Sequence, residues 1–544
     1  MESRIIAVTS LGDLLLRAAE KWPDREALVF PDQRLIYSQL AERARHMARA
    51  LQGNGIKPGD HVGILAPNLV EVVDLIFGTA LAGGVAVLIN ARYKTTELAY
   101  VVEDADLKLL FTTNRIADYV DFVELLYASL PGLRESDEPL SLVLNTAPML
   151  RSVILMEDSD AQAGVLPWQQ FLAFADRVDE QAVWTRRSRV ALRDPCMMMY
   201  TSGTTANPKG CRLSHEALVR NAREMSTRFQ IGCEDQQWNP LPMFHMGAVL
   251  PMLSVIWAGA RFITDTHFDA GAAIAAIEAE KPTIMFTAFP AIMAALIGHS
   301  RFNPDNMPQL RLVNNVAPPS QLLKNMEILP NALHVSAYGL TEACGVSCSG
   351  SADEDDKTRA YTCGKPYPGV QLRVVDPETG VDLNPGERGE VVIRGFSLFE
   401  GYYKSPDKTA EAIDKNGWLH TGDLCSLDAE GRVSYQGRIK DMLKVGGENV
   451  AAIEIESYIF THPAVQQVQV VGVPDRKMLE VAAAFIELVP GMECSGQEII
   501  DFCQGKIASF KIPRHVRFVT QWPMSATKIQ KFKLQEALTC ELAD

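Results

Sequence analysis

Residues Tyr200–His215 read YTSGTTANPKGCRLSH. The apolar run Cys196–Tyr200 comes before this stretch, and Leu218, Ala222, Met225 and Phe229 follow it at helical spacing. The local reading is strand, polar loop, helix. Inside the loop, Thr201, Ser202, Gly203, Thr204 and Thr205 crowd hydroxyls and small side chains together, and Lys209 closes the run with a lone ammonium. Such a loop offers backbone N–H groups, hydroxyls and one cation to a polyphosphate. The Gly-Lys-Ser/Thr ending of a Walker A loop is missing. A plain Thr/Ser-rich surface turn would not need two glycines and a spaced lysine as well.

Outward from this loop, short apolar runs alternate with helical patterns. His61–Ala66, Val85–Ile89, Leu109–Thr112 and Ser152–Met156 read as strands, and Leu11–Ala19, Leu40–Leu51 and Val70–Leu81 as helices. The alternation predicts α/β layers and continues through Ala248–Thr264 and Ile284–Ile297. From Pro366 the texture changes to short strands, Val370–Val375, Gly389–Arg394 and Arg432–Gln436, cut by Gly/Pro/Asp turns. This predicts an antiparallel β subdomain over 366–436. After Gly437 comes a third texture: Glu448–Phe460 helical, Val465–Val473 and Val481–Val489 strands, Gly496–Ser509 helical.

The chain of 544 residues is long enough for more than one domain. Its net charge of −15 argues against nonspecific nucleic-acid binding. An anionic substrate must therefore be held by local cations. The ten cysteines form no CxxC pair, and Cys344 and Cys348 have no His partner at zinc spacing. Reduced thiols and a cytoplasmic location are expected. The N-terminus lacks a signal-peptide core, and no apolar stretch of about 18 residues predicts a membrane span.

Four further segments carry candidate chemistry. Tyr338-Gly339-Leu340-Thr341-Glu342 follows the strand-like Leu333–Ala337, and strand ends are where α/β proteins place ligands. Glu342 suits Mg²⁺, which takes one or two carboxylates plus phosphate oxygens, and Thr341 has a hydroxyl to donate to a phosphate. In Trp418–Asp423, Asp423 accepts hydrogen bonds without donating, which suits the two hydroxyls of a ribose; an ordinary Gly-Asp turn is the alternative. In Leu241–Gly247, His245 sits in an apolar stretch and reads as lining a pocket or as a satisfied core residue. Lys444–Asn449 contains Gly446 and Gly447, which let backbone approach a ligand closely or simply open a helix.

In this order and over nearly the whole chain, these segments resemble the adenylate-forming enzymes: acyl-CoA synthetases, aryl-CoA ligases, luciferases and the adenylation domains of peptide synthetases. The resemblance implies a large N-terminal domain of layered α/β subdomains (1–438) with a small β-barrel-like subdomain, a hinge at 439–441 around Lys440, and a small mobile α+β C-terminal domain (442–544). It implies an ATP-dependent acid–CoA ligase that passes through an acyl-adenylate. Lys209, Thr341, Glu342 and a C-terminal lysine would be catalytic. Thr201–Thr205, Ala317, Pro318, Tyr338, Gly339, Asp423 and Arg438 would bind ATP, and Glu342 would hold Mg²⁺. Lys444, Gly446 and Gly447 would serve the CoA step, and His245, Met246 and Phe289 would line the acyl pocket. The segment Pro523–Lys531 is similar to the one carrying the adenylation lysine, with Lys528 assigned and Lys531 competing.

Three departures from the family pattern are visible. Ala206 stands where Gly is usual, no Gly precedes Lys528, and Asn315–Pro318 replaces a Gly-Gly or Ala-Ala wall. Two other readings therefore stand beside the ligase: an acyl-AMP ligase that loads a carrier-protein thiol, and a non-catalytic nucleotide-binding relative. A luciferase-type oxidation would use the same adenylate. Partners are expected to be a carboxylic acid, ATP and CoA, with a homodimer as the default assembly. The candidate acyl-pocket residues offer no cation for a second carboxylate, which points to an aliphatic or alicyclic acid, with aryl acids open.

Overall fold

The computed structural model describes residues 9–157, 162–201, 207–445, 448–475, 477–524 and 529–543. Two seven-stranded sheets make up the large N-terminal domain. In one, the strand order is 333–335, 312–315, 284–288, 236–238, 261–263, 26–29, 34–36; in the other it is 165–167, 152–155, 107–112, 61–65, 85–88, 195–201, 209–214. Every neighbouring pair is parallel except the last in each sheet. Parallel strands are covered on both faces, so they appear in sequence as unbroken apolar runs; Val85–Leu88 is buried at every position.

Helices Tyr37–Gly53, Val70–Leu81, His215–Arg228 and Met246–Ala258 contribute to a core shared by both sheets. Val70–Leu81 is buried along its whole length, as an all-round apolar helix must be. Helix Leu11–Lys21 is tied to this core by His215, whose Nδ1 accepts the Leu11 N–H at 3.0 Å.

Beyond the layers, a three-stranded antiparallel sheet joins Ala337–Tyr338, Cys348–Ser349 and Lys365–Pro366. The β subdomain follows as an open antiparallel sheet of Val370–Val375, Gly389–Gly395, Leu419–Leu427 and Val433–Arg438. A single 3₁₀ turn, Ile439–Asp441, leads into the small C-terminal domain. Its sheet runs 448–451, 442–445, 479–488, 465–475, with His515–Phe518 parallel to 479–488.

The structure corrects several local expectations. The segment after the polar loop is a strand, Lys209–Ser214, and the helix begins only at His215. Lys209–Ser214 alternates polar and apolar residues as the outer, antiparallel strand of its sheet, and Ser214 caps the helix by accepting from Ala217 N–H. Strands Pro195–Thr201 and Lys209–Ser214 are thus antiparallel neighbours, and no helix begins directly at Lys209. Glu448–Phe460 splits into a strand, Glu448–Ala451, and a helix, Ala452–Ile459. Asp423 lies in a strand, beside a register shift, and not in a free turn.

Candidate active site

One polar end of the site is built on the antiparallel pair Pro195–Thr201/Lys209–Ser214, whose register sets Thr201 opposite Lys209. Ser202, Gly203, Thr204, Thr205 and Ala206 lie outside the described residues. Thr341 and Glu342 sit in a 3₁₀ turn, Thr341–Ala343, which ends at Cys344 with φ of 55°. Asn221 fixes that left-handed residue by donating to its carbonyl at 2.8 Å. Glu342 Oε1 accepts from Thr201 Oγ1 at 3.4 Å and from the Tyr402 hydroxyl at 2.9 Å. Lys209 Nζ rests 4.2 Å from the centre of the Tyr402 ring. The buried Cys211 thiol touches Thr201 Oγ1 at 3.6 Å; burial, and then the nearby Glu342 charge, push its pKa well up.

The other polar end centres on Asp423. Tyr338 donates to Asp423 Oδ2 at 2.8 Å, and Arg438 Nε lies 2.9 Å from Oδ1. Asp423 and Arg438 face each other across neighbouring strands. Burial disfavours the Arg438 charge, but Asp423 and then Tyr435 outweigh it, and its pKa is raised. The Tyr338 and Tyr435 rings stack at 6.1 Å. Glu390, which was not anticipated, accepts from Gly422 N–H at 2.8 Å and contacts His420 Nδ1 at 2.7 Å. Between the two ends, Gly339 is required by space: a Cβ there would lie 1.7 Å from the Gly345 carbonyl oxygen.

A third group forms an apolar wall. His245 caps helix Met246–Ala258, its Nδ1 accepting Gly247 N–H at 2.9 Å. That bond uses the Nδ1 lone pair and so argues against a base at this atom. Phe289 packs edge-on against the His245 ring at 5.9 Å. Met246 is buried, and a Cβ on Gly345 would meet its Cε at 3.3 Å and Leu250 Cδ2 at 3.0 Å. Ala317 and Pro318 lie just past the carboxyl end of strand Leu312–Asn315. Asn315 is fully buried there, with neither amide atom hydrogen-bonded.

In the C-terminal domain, Lys440 and Lys444 are exposed. Gly446, Gly447 and Lys528 lie outside the described residues. Lys531 Nζ is 2.5 Å from Glu456 Oε1. Sequence reasoning missed Tyr402. Its only local signal is a tyrosine pair after Gly401, and its contacts to Glu342 and Lys209 appear only once three distant segments meet.

Residues 15–403 match the AMP-binding enzyme family, and 454–528 match the AMP-binding enzyme C-terminal domain. YngI of Bacillus subtilis (strain 168), which carries a provisional acyl-CoA synthetase name, is 36% identical over 537 residues, 97% of each chain. The mitochondrial medium-chain acyl-CoA ligase ACSF2 of Mus musculus is 32% identical, covering 97% of this chain and 88% of that one. Among solved structures, the anthranilate CoA ligase AuaEII in complex with anthranoyl-AMP superposes with a TM-score of 0.86 at 28% identity, over 100% of this chain and 99% of that one. No helix among the described residues is long and apolar enough to cross a membrane. With two family models matched in order along the chain and these relatives, the chain belongs to the AMP-binding enzyme family, as an AMP-forming acid–CoA ligase that uses ATP and CoA.

Proposed function

We propose that this ligase activates a medium-length aliphatic acid and that the two polar ends described above are the ribose and phosphate ends of one ATP site. The observation that carries the reading is the short segment Tyr338–Glu342: its first side chain bonds Asp423 and its last bonds Thr201 and Tyr402. One stretch of backbone therefore ties both ends together.

In this reading Asp423 and Arg438 take the ribose hydroxyls, while Ala317, Pro318, Tyr338 and Gly339 flank the adenine. Thr201, the loop Ser202–Thr205 and Lys209 hold the phosphates, and Thr341 donates to the α-phosphate. Glu342 fits Mg²⁺: it makes no ion pair among the described residues, and both its hydroxyl donors go to the same oxygen. No cluster of three or more His, Cys, Asp or Glu among the described residues could hold a metal alone, so the ion would arrive with ATP, as Mg²⁺ prefers. When bound, it supplies positive charge to the phosphate oxygens.

The acid carboxylate attacks the α-phosphorus and pyrophosphate leaves in line. The site's work is to neutralise converging anions and align them. Lys528 is assigned to bridge the carboxylate and the α-phosphate, because Lys531 is already engaged by Glu456. The CoA thiol then attacks the acyl carbon and AMP leaves. Rotation about Lys440 would withdraw Lys528 and bring Lys444, Gly446 and Gly447 to the site.

Among His245, Met246, Phe289 and Leu250 there is no carboxylate, lysine or arginine, and ACSF2 is named a medium-chain ligase. The likeness to AuaEII keeps an aryl acid as the second reading. The ten cysteines are free, in keeping with a reducing compartment, and a homodimer is the default assembly, open to light scattering. The test is acyl-CoA formation with ATP and CoA over straight-chain, alicyclic and benzoic acids. A medium-chain optimum supports the reading; preference for benzoates overturns the acid class; acyl-AMP that persists with CoA present overturns the acceptor.

A further inference from the structure

The phosphate end contains a cation and an anion that do not meet. Lys209 and Glu342 approach the same side chain from two sides, yet they form no ion pair with each other. That side chain is Tyr402, whose hydroxyl donates to Glu342 Oε1 at 2.9 Å and whose ring carries Lys209 Nζ at 4.2 Å.

Its placement is rigid. Residues 400–403 run antiparallel to the edge of strand Lys209–Ser214: Glu400 N–H donates to the Arg212 carbonyl at 2.8 Å and Tyr403 N–H to the Gly210 carbonyl at 2.8 Å. Tyr402 N–H donates to Thr409 Oγ1 at 2.9 Å, and the Phe399 ring packs edge-on at 4.8 Å. Gly401 makes the turn with φ of 86°, where a Cβ would strike Thr409 Cγ2 at 2.8 Å. Tyr402 is only 7% exposed, and a buried hydroxyl needs an acceptor.

An ammonium and a carboxylate at contact distance in a partly buried site attract strongly. Paired, they would cancel just where ATP needs both. A π face holds the ammonium more weakly than a carboxylate would, so phosphate can draw it away.

We propose that Tyr402 is a positioning residue that keeps Lys209 and Glu342 apart, reserving the ammonium for phosphate and the carboxylate for the metal that accompanies ATP. This rests on the roles assigned to Lys209 and Glu342 above. The test compares Tyr402→Phe, Tyr402→Leu and Tyr402→Leu/Glu342→Gln in the full-length enzyme. Two quantities are read: ATP affinity in EDTA by calorimetry, and the Mg²⁺ concentration for half-maximal ATP–pyrophosphate exchange.

Tyr402→Phe keeps the spacer and loses only the donor. It should leave metal-free ATP affinity within about two-fold and raise the Mg²⁺ requirement about ten-fold, the worth of one hydrogen bond to a charged group. Tyr402→Leu should also weaken metal-free ATP binding about ten-fold, because Lys209 falls onto Glu342; adding Glu342→Gln should restore that binding. A role in folding alone would not be rescued by Glu342→Gln. An unchanged Mg²⁺ requirement in Tyr402→Phe, or a Tyr402→Leu binding defect that Glu342→Gln does not repair, overturns the proposal. Lys209→Ala and Glu342→Gln run alongside: if neither affects exchange, the assignment of the site has failed, independently of Tyr402.

Discussion

The two ends of the site treat a carboxylate in opposite ways. Asp423 is answered inside the protein by the Arg438 guanidinium at 2.9 Å and the Tyr338 hydroxyl at 2.8 Å. Glu342 is answered, among the described residues, by neutral groups, two hydroxyls and the Cys211 thiol, with Lys209 held off on a π face. A carboxylate already neutralised by the protein makes a rigid recognition element. A carboxylate left without a countercharge is reserved for a cation brought by the substrate. The difference teaches that the ribose end should set affinity and the phosphate end should set rate.

The largest expected effect concerns Lys528, proposed above to serve adenylate formation. Lys528→Ala should cut acyl-adenylate formation by about 10²–10³, as removal of one preorganised stabilising group commonly does. Thioester formation from preformed acyl-AMP should survive, and Lys531→Ala should spare adenylation. Rapid-quench assays of the separate half-reactions check this; equal loss of both halves would end the division of labour.

Next in size is Lys440→Pro in the turn Ile439–Asp441. It should retain adenylation while slowing transfer to CoA at least about ten-fold, because a proline fixes φ where the domain rotation needs freedom. Equal loss in both steps would argue against a hinge at this residue.

Much of the scaffold was legible before the structure. Strands such as His61–Leu65, Val85–Leu88 and Ser152–Leu155 announce themselves as apolar runs because both their faces are covered, and Val70–Leu81 is predicted to the residue because its burial is complete. Lys209–Ser214 was hidden because an edge strand alternates polar and apolar residues and so fits a loop equally well. Leu419–Leu427 was hidden by His420-Thr421-Gly422, which looks like a turn, while Gly422 has φ of 68° within the strand. At the site, Asp423, Glu342 and Lys209 carry recognisable local patterns. Tyr402 and Glu390 do not, since their value lies in partners at distant points of the chain.

The smallest effect tests the scaffold that holds both ends in place. Burial lowers the pKa of His215 to about 4, against about 6.5 in an unfolded chain. The unfolded state therefore takes up a proton first as pH falls. The stability that neutral His215 contributes is complete above pH about 6.5 and drains away toward pH 4. His215→Gln should remove about 2 kcal/mol of the stability lost between pH 7 and pH 5. Chemical denaturation of both proteins at the two pH values checks this, and an unchanged difference between them would contradict it.

The most direct measurement is ATP–pyrophosphate exchange for Asp423→Asn and Glu342→Gln across a wide range of ATP, with the acid and Mg²⁺ saturating. The account predicts that Asp423→Asn raises the KM for ATP and recovers most of its rate at saturation, whereas Glu342→Gln stays slow by about 10² at any ATP concentration. The reverse pattern, or the same KM defect in both variants, would contradict the assignment of one end to recognition and the other to catalysis.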